Sequence, residues 1–75
     1  MDRLCDLSPG EQGTVASLCT RGPMRRRLLE LGLIEGTQVE CLCRSPGGDP
    51  TAYRIRRAVI ALRRKDAMGV MLVWE

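Results

Sequence analysis

The sequence predicts a mainly β fold: a small SH3-like barrel of about five short strands with one helical insertion after the first strand. Three observations carry that expectation. Short apolar and β-branched runs, several with period two, alternate with glycine- and proline-rich breaks. Only one segment, from Met24 to Leu31, switches to helical spacing. A chain of 75 residues buries only about 60% of its unfolded surface. Closure into a small barrel would then hide both faces of short strands and remove their edges. A five-stranded oligonucleotide-binding barrel has the same strand count but normally places its helix later. The length leaves room for one domain over residues 1–75 and excludes a large enzyme with an internal cleft.

The elements follow in order. Leu7-Ser8-Pro9-Gly10 is a turn-rich entry. Thr14–Cys19 has the content of a first strand. Thr20–Pro23 breaks it, and Pro23 suits a first helical position, where its missing N–H costs nothing. Met24, Leu28 and Leu31 share one helical face, with Leu29 widening the stripe and Arg25, Arg26 and Arg27 on the flank and outer face. Gly32 suits the left-handed residue that ends a helix. Leu33–Gly36 reads as a tight turn folding Leu33 and Ile34 back over the core. Thr37–Arg44 alternates, placing Thr37, Val39, Cys41 and Cys43 on one inward face, with Leu42 as the exception. Ser45-Pro46-Gly47-Gly48-Asp49-Pro50 is the strongest break. Ala52–Arg56 points Tyr53 and Ile55 inward and Arg54 and Arg56 outward. Val59–Arg63 is another strand, Asp66–Gly69 turns, and Val70–Trp74 is the last strand.

Composition narrows the function. The chain is 44% hydrophobic and 28% charged, a globular profile. It has no run of about 20 apolar residues and no apolar stretch at its start, so a soluble, cytoplasmic protein is expected, not itself inserted in a membrane. Net charge is +3, and Arg supplies eleven of the twelve cations. They cluster at Arg25–Arg27, at Arg54, Arg56 and Arg57, and at Arg63, Arg64 and Lys65, which suits an acidic protein surface or phosphates. Tyr53 and Trp74 are the only aromatics, too few for a base-stacking platform, so no nucleic-acid partner is expected.

Candidate chemistry is sparse. There is no histidine, which removes Ser-His-Asp and Cys-His catalysis, and the chain is not expected to be an enzyme. Gly47-Gly48 has no phosphate-loop context. Cys5, Cys19, Cys41 and Cys43 could together ligate Fe²⁺ or Zn²⁺ as thiolates, but their spacing is not the usual pair of C-x₂-C motifs. Buried thiols acting as small hydrophobes are the simpler reading. No cofactor is required. The run Leu28–Ile34 carries more apolar surface than one helix stripe needs. Part of it, ringed by arginines, would suit docking on another protein.

One longer pattern is specific. Leu29-Glu30-Leu31-Gly32-Leu33-Ile34-Glu35-Gly36-Thr37-Gln38-Val39 resembles the leucine-glycine-leucine, glycine-threonine, valine signature of the FeoA family. Leu7-Ser8-Pro9-Gly10, Arg26-Arg27-Leu28, Ser45–Pro50, Ile60–Arg63 and Asp66-Ala67 resemble that family in the same order, from about Leu7 to Val73. The resemblance implies an SH3-like barrel, a module also found at the C-terminus of iron-dependent repressors. It implies a non-enzymatic accessory role in bacterial ferrous iron transport. The implied partner is FeoB, a membrane Fe²⁺ transporter with a cytoplasmic GTP-binding domain, and recruitment to the inner face of the membrane would follow.

The expected docking residues are Arg25, Arg26, Leu29, Leu33, Ile34, Arg54, Arg56, Arg57, Arg63 and Arg64. Two alternative functions rest on the cysteines and on the arginines. A cysteine-based metal carrier or sensor would bind metal stoichiometrically. A basic nucleic-acid-binding barrel would show steep salt dependence.

Overall fold

A computed structural model describes residues 2–73. It contains six strands: β1 (Asp2–Arg3), β2 (Gln12–Leu18), β3 (Gln38–Arg44), β4 (Thr51–Ile55), β5 (Ala58–Leu62) and β6 (Val70–Val73). Two helices are α1 (Pro23–Glu30) and α2 (Arg64–Ala67), and a 3-10 turn spans Leu4–Asp6. All strand pairs are antiparallel, in the order β1-β6-β2-β3-β4-β5.

The expected barrel is not what forms. The sheet is open, because its outermost strands, β1 and β5, are not paired with each other. Two features explain this. After β5 the chain makes the α2 turn and returns as β6 between β1 and β2, at the far side of the sheet. β1 is only two residues long and, among the described residues, pairs with β6 alone. The strand count is six rather than about five, and the helical insertion follows the second strand, not the first. Trp74, expected at the end of the last strand, lies outside the described residues.

Inward residues still meet in one core. Val15, Val39, Cys41, Tyr53, Ile55, Leu62, Val70 and Leu72 come from the strands. Leu4, Cys5 and Leu7 enter from the N-terminal turn, Leu28 and Leu33 from α1 and its exit, and Ala67 from α2. Burying one such Leu or Ile contributes roughly 1.5–3 kcal/mol, which is why the period-two pattern fixes the register of each strand.

Helix α1 ends as its sequence requires. Pro23 is the first helical residue, and Gly32 follows the cap residue Leu31 with φ 103°. The Gly32 N–H donates to the Leu29 carbonyl at 3.0 Å, and the Leu33 N–H donates to the Leu28 carbonyl at 3.0 Å. These two bonds make a Schellman stop, and its usual apolar contact is here the buried pair Leu28 and Leu33. The Leu31-Gly32-Leu33 run is therefore a backbone reversal that returns the chain to the core.

One irregularity changes which side chains face inward. β3 pairs Cys41 with Tyr53 but Cys43 with Ala52, so Leu42 is an extra residue in a bulge. Past it the alternation flips. Cys41 is buried, whereas Cys43 is exposed, contrary to the inward face expected for both.

Candidate docking surface

α1 projects its charged side away from the core. Arg25, Arg26 and Arg27 are exposed, while Leu28 is buried and Met24 and Leu31 pack partly against the core. Arg25 is held rather than free: its guanidinium donates to the Leu18 carbonyl at 3.1 Å, tying α1 to the end of β2. Beside this bond runs a groove of about 250 Å³ between β2 and the α1 exit. Its walls include Ala16, Leu18, Arg25, Leu29, Leu33 and Ile34. Leu29 and Ile34 are 38% and 42% exposed, enough for each to offer an apolar contact. Leu33, expected at the surface with them, is fully buried and belongs to the core.

The remaining expected docking residues are dispersed. Arg26 lies by a separate recess with Pro23 and Glu30. Arg54 pairs with Glu40 at 3.0 Å, and with Arg56 it lines a broad groove of about 530 Å³ that also includes Gln12, Gln38 and Val39. Arg56 sits in the two-residue turn before β5 with φ 58°, and its side chain lies against Gly32. Arg57 is exposed in the same turn. Arg63 borders a groove beside β5. The Arg64 N–H donates to the Asp49 carboxylate at 2.8 Å, and its side chain reaches a recess of about 100 Å³ with Cys5, Thr51 and Tyr53. The structure thus gathers Arg25, Leu29, Leu33 and Ile34 but spreads the other cations around the molecule. The contributions of Ala16 and Leu18 had no local sign in the sequence, because β2 meets α1 only through the fold.

The four thiols do not converge. Cys5 and Cys41 are buried, and Cys19 and Cys43 are exposed. Burial pushes both the Cys5 and Cys41 thiols above their ordinary pKa, favouring the protonated form. Among the described residues no group of three or more His, Cys, Asp or Glu side chains could hold a metal ion. The residues present therefore do not fit a shared thiolate centre. Among the described residues no helix is long and apolar enough to cross a membrane.

Comparison with known proteins fits this architecture. The FeoA domain family matches residues 3–73. A fusion of Fe(2+) transport protein A with the Fe(2+) transporter FeoB from Porphyromonas gingivalis is 37% identical over 68 residues. That match covers 91% of this chain but only 8% of the fusion protein. The FeoA protein of Chlorobium tepidum has 30% identity and a TM-score of 0.89, covering 96% of this chain and 69% of that one. Stenotrophomonas maltophilia FeoA complexed with zinc has 27% identity and a TM-score of 0.88, covering 97% and 91%. With the family matched along nearly the whole chain, and the fold closely similar to these structures, the chain belongs to the FeoA family.

Proposed function

We propose that this chain is a cytoplasmic, non-enzymatic accessory domain of ferrous iron transport, docking on the cytoplasmic G-domain or pore assembly of a FeoB-type transporter. The carrying observation is the groove between α1 and β2. There an anchored Arg25 stands beside exposed Leu29 and Ile34 over the buried Leu33. An apolar centre with a charged rim is the usual anatomy of a protein interface. Family membership supports the role, and the Porphyromonas relative carries transport protein A and FeoB in one polypeptide. The Stenotrophomonas relative has been put forward as a ferrous iron transport activating factor.

Arg25 and Arg26 would steer the groove toward an acidic surface, and Arg54, Arg56, Arg57, Arg63 and Arg64 would add long-range attraction. Docking would favour one state of the transporter and so alter Fe²⁺ passage. A zinc ion like that in the Stenotrophomonas relative would need donors other than a cysteine cluster, because among the described residues no three of the cysteines group together.

The test is a titration of the reduced, metal-free protein against the cytoplasmic G-domain of a cognate transporter, at low and physiological salt. Micromolar binding that weakens with salt is expected. Reversal of Arg25 and Arg26 to Glu should weaken it about tenfold or more at low salt. Unchanged affinity in that variant would remove this surface from consideration.

A further inference from the structure

We propose that the outer edge of β5 is a strand-addition site for an extended segment of an acidic protein. It lies beyond the docking groove and does not depend on the transporter reading. Among the described residues β5 ends the sheet and pairs only with β4. The two-residue turn Arg56–Arg57 makes Ile55 and Ala58 a hydrogen-bonded pair, and alternation makes Tyr53–Ile60 and Thr51–Leu62 the next two. The amides and carbonyls of Val59 and Ala61 therefore face away from β4. Among the described residues, no strand pairs with that edge and no backbone hydrogen bond from another element reaches it.

Natural edge strands are usually guarded by charge, proline or a bulge. Ala58–Leu62 has none of these: its five residues are uncharged and its register with β4 is regular. Val59 is 62% exposed, against 38–42% for the other exposed large hydrophobics. Charge sits at the two ends instead, with Arg56 and Arg57 before the strand and Arg63, Arg64 and Lys65 after it. A groove of about 250 Å³ lies beside the strand, lined by Met24 and Arg27 of α1, the cap residue Leu31, and Ile60 and Leu62, with Arg63 and Asp66 also in its walls. An added strand would lie about 4.8 Å from β5, with one row of side chains over Met24, Leu31 and Ile60.

Charge selects the occupant. A second copy paired antiparallel would set Arg56 and Arg57 against the other copy's basic cluster after β5. A parallel copy would set each cluster against itself. Like charges across an edge are destabilising, so self-pairing is disfavoured in both directions. A partner segment with a short apolar centre and carboxylates at both ends meets the edge and both clusters together.

The probe is a capped eight-residue peptide, with four alternating Val and Thr residues between two Glu at each end, titrated into the isotope-labelled chain. Backbone N-methylation of alternate peptide residues gives two complementary peptides, and only one pattern blocks the edge facing β5. One pattern should weaken binding about tenfold or more and the other less than about twofold. Exchange of the Val59 and Ala61 amides should slow on binding. Ala61→Pro, which removes an edge donor without removing a β4 bond, should match the blocking pattern. The two peptides keep the test decisive if that variant does not fold.

Equal binding of the two patterns, or unprotected Val59 and Ala61 amides at saturation, would overturn the proposal. So would a dimer in sedimentation, or an oligonucleotide that protects the same amides more strongly. The transporter is absent from this experiment, so its failure leaves the α1–β2 groove untouched.

Discussion

Replacing Gly32 by alanine tests whether the Leu-Gly-Leu run acts through its backbone. Gly32 has φ 103°, past the centre of the left-handed well near +57°. An L-residue in the left-handed region costs roughly 1–2 kcal/mol, and this φ favours the upper part of that range. The new Cβ would also meet Arg56 Cδ and Nε at 3.3 Å and Ile55 Cγ2 at 3.5 Å. The Arg56 arm can shift by a few tenths of an ångström, so the steric addition is small. The sum is about 2 kcal/mol. At about 4–8 °C per kcal/mol for a domain of this size, the melting temperature should fall by about 8–16 °C. Thermal melts by circular dichroism read the shift, and urea titrations should show a lower midpoint with an unchanged slope. A fall of less than about 3 °C would refute the backbone reasoning. So would full recovery in Gly32→Ala with Arg56→Ala, which would make the penalty steric.

Three further outcomes are expected. In the native protein two thiols, Cys19 and Cys43, should react rapidly with an aromatic disulfide reagent, and Cys5 and Cys41 only on unfolding; a slow Cys43 would contradict the bulge at Leu42, and fast reaction of more than two thiols would contradict the burial of Cys5 and Cys41. Burial, aided by nearby Cys41, pushes the Tyr53 hydroxyl up to about 12, from 10.0. Its contribution of roughly 2–3 kcal/mol should be intact below pH 10 and lost between pH 10 and 12, because the unfolded chain ionises first. Cys5 and Cys41 shift in the same direction. Urea midpoints that stay level from pH 9 to 11.5, or that Tyr53→Phe leaves equally pH-dependent, would count against this. Finally, a Cβ on Gly69 would collide with the Thr20 hydroxyl and stand 3.3 Å from the Thr20 amide nitrogen. Gly69→Ala should destabilise by about 1–3 kcal/mol, with Thr20→Ala recovering most of the loss; additive losses in that double-mutant cycle would sink the contact.

The parts of the fold legible in the sequence are those where local pattern and burial agree. Pro23 and Gly32 bracket α1 because both ends are set by backbone restrictions of single residues. Tyr53 and Ile55 face inward as their alternation requires. β1 was not legible, because a two-residue strand has no period and owes its pairing to the distant β6. α2 was hidden by its own composition: Arg64 and Lys65 read as part of a basic cluster and Asp66–Gly69 as a turn. The bulge at Leu42 has no glycine to mark it, so strict alternation carried Cys43 to the wrong face. Closure failed as an inference because the strand pattern is nearly the same for an open sheet and a barrel. The docking residues were only partly legible. Leu29 and Ile34 stay exposed but Leu33 does not, a difference set by the Schellman stop and not by hydrophobicity.

The pairing of β1 with β6 also has a mechanical side. Asp2 lies opposite Leu72 and Arg3 opposite Met71, so the first and last described strands run side by side in opposite directions. A force applied through the two ends would load this pair one bond at a time, as in a zipper, and not all together in shear. The short strand would peel before β2 and β6 separate, since those are joined over a longer register from Thr14 to Leu18. Tethered at both ends within a longer polypeptide, the domain would yield a few residues of slack at low tension while most of its sheet stayed whole.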